Sequence, residues 1–207
     1  MFADIKFTEN NIQFAFVKNT HSLDYLEKEC VLKGNEEEIY TKIRSLQRKK
    51  EFLSARILLQ NEFNKDYQIA YKESGQPFIK NKKELSISIS HSKQWLVIAI
   101  STQKIGIDIE EISDRIFRIK EKFCSIEELQ NIDTKQETKH LILLWSAKES
   151  AYKLLQDKSI IFNEDLVTNK FIPKKDGTFK IPFSKRKINI PIHYRFIEES
   201  VFTYCYQ

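Results

Sequence analysis

The sequence predicts an α+β protein. Patterns typical of strands and patterns typical of helices occur in mixed blocks in both halves of the chain. A length of 207 residues corresponds to one or two domains and is enough to bury a core without disulfides or structural metals. Hydrophobic residues make up 41% and charged residues 30%, a composition typical of a globular protein rather than a disordered one.

The first half predicts strands at both ends with helices between them. Thr20 or Ser22 is a candidate N-cap for a first helix, and Gly34 ends that helix. Asn35 is followed by three glutamates, which favour the positive end of a helix dipole, so one long helix is expected to run from there to residue 63. Strands are predicted over residues 5–7, 12–17, 85–90 and 95–101, with a loop at residues 74–77.

The second half opens with a strictly alternating segment at residues 105–110, which predicts a strand. A helical pattern follows over residues 114–123. Ser125 and Glu128 form a capping box that opens a short helix. The strongest helical pattern in the chain covers residues 136–156, and strands are predicted over residues 179–183, 188–197 and 201–206.

Composition narrows the class of protein. No apolar run approaches the ~20 residues needed to cross a bilayer, and the acidic, alternating start does not resemble a signal peptide. The three cysteines are far apart and form no CxxC motif, so we expect neither a disulfide framework nor a zinc site. This use of cysteine predicts a cytoplasmic location. The net charge of +5 is divided almost evenly between the two halves, which favours an anionic partner of limited size over a nucleic acid.

Two carboxylates share one face of the strand predicted at residues 105–110. Its isoleucines are expected to face the core, which places Asp108 and Glu110 on the opposite face, ~7 Å apart. That face is either an ordinary solvated surface or a site for a hard cation, since Mg²⁺ prefers carboxylates, water and substrate phosphates. Gly106 lies on the same face and would leave room for a ligand.

The predicted helix over residues 136–156 has charges on its apolar stripe. Leucines and Trp145 begin the stripe, and Lys148, Glu149 and Tyr152 continue it at helical spacing. Charges on a core-facing stripe are costly unless they are paired or used. Lys153 follows Glu149 by one turn, so an exposed helical ion pair is the simple alternative, worth ~0.3–0.5 kcal/mol.

Serines alternate with apolar residues before residue 92. Ser86, Ser88 and Ser90 are expected on one face of the strand, and the run ends in Ser90, His91 and Ser92 just before a turn. Hydroxyls, an imidazole and loop N–H groups together suit a phosphate, although an exposed polar face explains the same pattern. A Ser/His/Asp hydrolase is disfavoured because the chain has no G-x-S-x-G motif.

Together these motifs resemble those of the 4'-phosphopantetheinyl transferase superfamily. Residues 106–110 read GIDIE and, some 35 residues later, residues 145–153 read WSAKESAYK, like the paired signature of that family. Upstream, residues 90–92 (SHS), 75–77 (GQP) and 48–56 (RKKEFLSAR) resemble further motifs of its surfactin-synthetase-activating (Sfp-type) branch. The resemblance covers about half the chain, in the family's order. Gln76 departs from it, because the family usually has lysine there, as does Ser88, where asparagine is frequent.

The resemblance implies transfer of the phosphopantetheine arm of coenzyme A to a serine of an apo carrier protein, which releases 3',5'-ADP. It implies Mg²⁺, with Mn²⁺ as an alternative, held by Asp108, Glu110 and Glu149. Glu149 would also be the catalytic base, either directly or through a metal-bound water, and Lys153 would meet the pyrophosphate. The residues expected to contact coenzyme A are Arg48, Arg56, Gly75, Gln76, Pro77, Ser90, His91, Lys148 and Lys153.

The resemblance also implies two similar α/β subdomains in a pseudo-twofold arrangement. We expect an N-terminal subdomain over residues 1–103 with the nucleotide contacts. We expect a C-terminal subdomain over residues 104–207 with the metal-binding and catalytic carboxylates. The expected partner is an acidic acyl or peptidyl carrier protein, with no nucleic acid or membrane, and the chain is expected to be a monomer. A coenzyme A-binding module without transfer activity and a nucleic-acid-binding protein remain as alternatives.

Overall fold

A computed structural model describes residues 2–207, in which strands and helices form two compact units that meet in sequence between Gln103 and Lys104. The mixture of sheets and helices confirms the α+β class. No helix among residues 2–207 combines the length and the apolar character needed to span a membrane.

The first unit combines a four-stranded antiparallel sheet, a short hairpin and three helices. Helix α3 packs against α1 on one side and against two strands of the sheet on the other, and the main core of the unit lies around these contacts. The sheet order is β1-β2-β6-β5, and β3 pairs with β4. The elements are β1 (Ile5–Glu9), β2 (Ile12–Lys18), α1 (Leu23–Glu29), α2 (Glu36–Lys42), α3 (Leu46–Glu62), β3 (Ile69–Tyr71), β4 (Pro77–Ile79), β5 (Ser86–His91) and β6 (Trp95–Ser101).

The prediction of one long helix from Asn35 to residue 63 is wrong, because the segment forms two helices, α2 and α3. Ile43 has an extended backbone and ends α2, and Ser45 is also extended. The Ser45 hydroxyl accepts a hydrogen bond from the Arg48 N–H and so caps a new helix, α3. The apolar period runs through this break, so periodicity alone did not reveal it.

The second unit also has a four-stranded antiparallel sheet, in the order β7-β10-β9-β8, and its longest helix packs across β7 and β10. The capping box of Ser125 and Glu128 is confirmed. The helix predicted over residues 114–123 is instead a 3₁₀ turn followed by a single α turn. The elements are β7 (Ile105–Glu111), α4 (Lys120–Phe123), α5 (Ile126–Gln130), α6 (Glu137–Leu155), α7 (Phe162–Asp165), β8 (Asp176–Phe183), β9 (Ile188–Ile197) and β10 (Ser200–Tyr206), with 3₁₀ turns at Asp114–Arg118, Thr134–Gln136 and Ser184–Arg186.

The two units share a chain path. In each, a strand (β2 or β7) leads into helices, the longest of which packs back on the sheet. A later hairpin (β5–β6 or β9–β10) then returns so that its last strand lies antiparallel beside the first. A further strand, β4 or β8, lies next to β5 or β9 respectively. The units are therefore built on one topology, although no repeat is visible in the sequence.

Candidate active site

Strand β7 and helix α6 approach each other closely at Gly106. A Cβ atom built on Gly106 would lie 2.0 Å from the Ser150 carbonyl oxygen and 2.7 Å from the Leu154 nitrogen. No side chain fits there, so glycine is required for the contact between strand and helix. The expectation that Gly106 leaves room for a ligand is therefore wrong, because the backbone of α6 occupies that space.

Asp108 lies two residues beyond Gly106, on the face of β7 that α6 covers. It is 4% exposed, so the solvated face considered from the sequence is wrong. Its neighbour across the sheet, Thr203, exchanges hydrogen bonds with Ser146 of α6, which confirms that this face lies under the helix. Asp108 is thus a buried carboxylate that needs a positive partner.

Lys153 of α6 supplies that partner. Its Nζ atom donates a hydrogen bond to Oδ1 of Asp108 at 2.7 Å. The carboxylate is almost fully buried, whereas the Lys153 side chain is 30% exposed. The pair therefore places an ammonium group at the boundary between the protein interior and solvent, where an anionic ligand is accessible to it.

Glu110 and Glu149 complete the carboxylate set. Burial and the nearby charge of Asp108 raise the pKa of Glu149 to about 7, although Lys153 opposes the shift. Burial, Asp108 and Glu149 likewise raise the pKa of Glu110 to about 7, against a hydrogen bond from the Trp145 indole N–H at 2.8 Å. The three carboxylates are close enough to repel one another, which is a setting that a cation relieves.

The donor chemistry of this set fits a hard cation such as Mg²⁺, because all the donors are carboxylate oxygens. The side chains are not arranged as a finished ligand shell. Within residues 2–207, no three Asp, Glu, His or Cys side chains are grouped so that they could hold a metal ion as they stand. Lys153 on Asp108 and Trp145 on Glu110 engage two of the three carboxylates in this structure.

Helix α6 presents Trp145, Glu149 and Lys153, at intervals of four, to this site. Lys148 lies elsewhere on the helix and is fully buried. Its Nζ atom donates to the Glu128 carboxylate at 2.7 Å and to two backbone carbonyls, those of Phe123 and Phe162, so all three ammonium protons have acceptors. The predicted contact of Lys148 with coenzyme A is therefore corrected: this lysine joins α6 to α5 and to the segments that precede α5 and follow α6.

Arg56 requires a similar correction. It is 1% exposed, its Nε atom lies 3.0 Å from Glu36 Oε1, and Nη1 donates to the Phe52 carbonyl at 2.9 Å. The guanidinium also stacks on the Phe52 ring, 3.2 Å from its centroid. A side chain enclosed in this way has no surface to offer a nucleotide, although the eight-residue spacing places it on the same helix as Arg48.

Arg48 and His91, by contrast, are brought together at the surface of the first unit. Arg48 is near the start of α3 and His91 ends β5, and Arg48 Nη1 lies 3.0 Å from His91 Nε2. Glu51 contacts both: its Oε2 atom is 3.0 Å from Arg48 Nη1 and 3.5 Å from His91 Nε2. The sequence reasoning missed Glu51, although its position three residues after Arg48 on a helix signals a pair. Ser90, the neighbour of His91, is buried.

Gly75, Gln76 and Pro77 close the β3–β4 hairpin. Gly75 has φ +87°, a left-handed conformation that favours glycine, and Pro77 begins β4 opposite Tyr71. The Lys72 ammonium donates a hydrogen bond to the Gln76 side-chain oxygen at 2.8 Å. The opposite arm of the hairpin thus brings a cation to the position where the family usually has lysine.

The segment that carries the three carboxylates and Lys153 is similar to known proteins. Residues 104–205 match the model of the 4'-phosphopantetheinyl transferase superfamily. The matched segment, which forms the second unit, resembles that superfamily, and the relatives of the chain support the Sfp-type branch.

Three curated relatives show the extent of the similarity. The chain is 36% identical over 85 residues to a 4'-phosphopantetheinyl transferase of Bacillus subtilis, which covers 40% of this chain and 38% of that protein. It is 34% identical over 91 residues to 4'-phosphopantetheinyl transferase Sfp of Bacillus subtilis strain 168 (42% and 41%). It is 34% identical over 110 residues to 4'-phosphopantetheinyl transferase gsp of Aneurinibacillus migulanus (51% and 46%). The matched segments thus span less than half the length of these relatives.

Proposed function

We propose that this protein transfers the 4'-phosphopantetheine group of coenzyme A to a serine hydroxyl of an apo acyl or peptidyl carrier protein. The products are the holo carrier protein and 3',5'-ADP. The observation that carries the proposal is the Lys153–Asp108 pair beside Glu149 and Glu110, formed where α6 packs on β7 within the segment that matches the superfamily. Curated relatives of the chain are named as 4'-phosphopantetheinyl transferases.

In the proposed reaction, the serine oxygen attacks the phosphorus that carries the pantetheine arm, and the bond to the bridging oxygen of the pyrophosphate breaks. Glu149 takes the proton of the serine hydroxyl. Lys153 binds the pyrophosphate through its partly exposed ammonium group. The 3',5'-ADP then leaves with the bridging oxygen.

We propose that Asp108, Glu110 and Glu149 hold Mg²⁺, or Mn²⁺ in its place. The ion would neutralise charge on the pyrophosphate and on the leaving phosphate. Binding would require the protonated fraction of Glu110 and Glu149 to lose its protons, since metal ligands act in the deprotonated form.

The first unit would supply nucleotide contacts. Arg48 and His91 form a surface-exposed pair suited to a phosphate. The hairpin of Gly75, Gln76 and Pro77 supplies a further cation, the Lys72 ammonium, which is bound to Gln76. Ser90 is 4% exposed, so the proposal leaves out the contact with coenzyme A that the sequence predicted for its side chain. The proposed contacts omit Arg56 and Lys148, because both are enclosed in protein. We further propose that the protein acts in the cytoplasm.

The test is mass spectrometry of an apo carrier protein after incubation with coenzyme A and Mg²⁺. The expected result is a mass gain of one phosphopantetheine group on the acceptor serine, abolished by EDTA. Lys153→Ala should reduce the rate strongly, whereas Lys158→Ala, an exposed lysine beyond the end of α6, should not. Coenzyme A binding without any mass gain on several carriers would instead identify a binding module.

A further inference from the structure

The positive charge of the chain is concentrated in one segment of the second unit. Residues 170–187 carry seven lysines or arginines and one acid, whereas the rest of the chain carries 27 basic and 28 acidic residues. The even division between the two halves concealed this concentration. We call the seven residues the basic strip: Lys170, Lys174, Lys175, Lys180, Lys185, Arg186 and Lys187.

The basic strip follows an edge of the sheet. All seven side chains are exposed, and they lie before, within and after β8, the edge strand of the order β7-β10-β9-β8. At ~3.3 Å per residue, β8 spans ~26 Å, with Lys175 just before its start, Lys180 within it and Lys185 just after its end. This length is comparable with one face of a small helical bundle. Ile172, 63% exposed, lies among the lysines and adds an apolar contact point.

The edge itself is poorly suited to backbone pairing with another strand. Pro182 in β8 has no N–H to donate, and Lys180 is exposed on the strand, and both features discourage the addition of a strand. A partner would therefore be recognised through side-chain charge rather than through a shared sheet.

The surroundings favour an acidic protein over a nucleic acid. Asp165 pairs with Lys185 at 2.8 Å and Asp157 lies 3.6 Å from Arg186, so local carboxylates already compensate two of the seven charges. A positive patch of this limited size suits a compact acidic protein better than the extended phosphate backbone of a nucleic acid. The aromatic residues of the segment are engaged in packing rather than free for base stacking. Phe171 and Phe179 stack on each other with centroids 4.2 Å apart and, partly buried, pack against the apolar cluster of the second unit.

We propose that the basic strip is the docking surface for the acidic face of the carrier protein. This inference rests on the proposed function for the identity of the partner and on the charge pattern for the location. Complementary charge accelerates encounter and aligns the partner, and it weakens as salt screens exposed groups beyond ~10 Å.

The experiment compares two triple variants that change the net charge equally. The test variant is Lys174→Glu/Lys175→Glu/Lys180→Glu. The matched control is Lys28→Glu/Lys65→Glu/Lys135→Glu, three exposed lysines outside the basic strip. At low ionic strength the test variant should raise the KM for an apo acyl carrier protein by about tenfold or more, with the KM for coenzyme A within about twofold of wild type. The effect should fade in 0.5 M NaCl.

Several outcomes would overturn the inference. An unchanged carrier KM in the test variant would do so while leaving the proposed function intact, provided that wild type modifies the carrier. Equal effects of the two triple variants would show that overall charge acts rather than this surface. Binding of a duplex DNA, lost in the test variant while the carrier KM stays unchanged, would assign the strip to nucleic acid.

Two further measurements separate docking from folding and from the reaction. Thermal unfolding should be similar in wild type and both triple variants. The variant Lys174→Gln/Lys175→Gln/Lys180→Gln, which removes the three positive charges without adding negative ones, should give an intermediate KM for the carrier protein. If wild type modifies no carrier, the proposed function fails, and direct binding of the apo carrier to wild type and to the test variant then decides the inference separately.

Discussion

Lys148 and Lys153 lie five residues apart on α6 and have different surroundings. The burial of Lys148 lowers its pKa, and its bonds to Glu128 and two carbonyls consume its donors. Lys153 holds one buried carboxylate and keeps part of its surface in solvent. The same residue type thus provides a structural ion pair at one position and a candidate ligand contact at the other.

The first prediction concerns Asp108. Asp108→Asn should lower the rate of phosphopantetheine transfer about 10³-fold, because it removes charge from the proposed cation site and releases Lys153. It should also lower the pKa values of Glu110 and Glu149, which Asp108 raises. Transfer is measured by mass spectrometry of the carrier, and folding by thermal unfolding.

Glu111→Gln, in the same strand, serves as the control for Asp108→Asn. Near-wild-type turnover of a folded Asp108→Asn protein would contradict the assignment of this carboxylate to the metal. Loss of folding in both variants would show that the strand does not tolerate amide substitution.

The second prediction concerns Gln76. Gln76→Lys should lower the KM for coenzyme A by up to about tenfold with little change in kcat, because a phosphate contact acts equally on the ground and transition states. Lys72 lies against Gln76, so the new ammonium would have a cationic neighbour. An unchanged or raised KM for coenzyme A would contradict the prediction and would indicate that Lys72 already supplies the charge that this hairpin needs. In that case Lys72→Gln should raise the KM for coenzyme A.

The third prediction is a pH dependence of stability at His140. The residue is 2% exposed, its Nδ1 atom accepts the Asp133 N–H at 3.0 Å, and burial lowers its pKa from 6.5 to about 4. Between these values the unfolded chain binds a proton that the folded protein does not. Stability is therefore retained above pH 6.5 and falls by up to about 3 kcal/mol as the pH approaches 4.

Urea unfolding of wild type and His140→Gln across this pH range tests the prediction. Glutamine keeps an acceptor for the Asp133 N–H and does not titrate, so the variant should lose part of the slope below pH 6.5. Identical slopes in the two proteins would assign the acid sensitivity to other groups.

At the scale of elements, the packing of α6 on β7 builds the candidate active site. Gly106 permits the close approach, and the small residues Ala147, Ser150 and Ala151 keep the buried side of the helix narrow. Asp108 then comes within hydrogen-bond distance of Lys153. The site is therefore a consequence of one helix–strand contact rather than of a loop.

The fourth prediction tests that contact. Gly106→Ala should destabilise the protein by at least about 2 kcal/mol, because a Cβ atom there overlaps the α6 backbone, and it should reduce transfer by separating Lys153 from Asp108. Chemical unfolding and transfer rates give the two readouts. Gly75→Ala is the control: its site has open space and only the left-handed φ, so a loss near 1 kcal/mol is expected. Equal losses in the two variants would refute the close-approach argument.

At the scale of the molecule, each unit has its own sheet, long helix and hydrophobic core. Our fifth prediction is that the protein is a monomer in solution, because a single chain already contains two units of the same topology. Light scattering at micromolar concentration measures the molar mass. A stable trimer would contradict the prediction and would indicate that separate chains assemble the site.

The sequence by itself determined the α+β class, most helices and strands, the capping box and the motifs that indicate the family. These follow from local periodicity, turn residues and short-range spacing, which are properties of neighbouring residues. It also singled out Asp108, Glu149 and Lys153, since charges that interrupt apolar patterns are detectable before folding.

Only the tertiary structure decided how each of these residues is used. Arg56 and Lys148 match family motifs as well as Arg48 and Lys153 do, but packing encloses the first two and leaves the others partly exposed. Gly106 contacts a helix 44 residues away in sequence, and Lys72 reaches Gln76 across a hairpin. The burial of a side chain and its long-range partners depend on which helices and strands pack together. A local sequence pattern does not determine that packing.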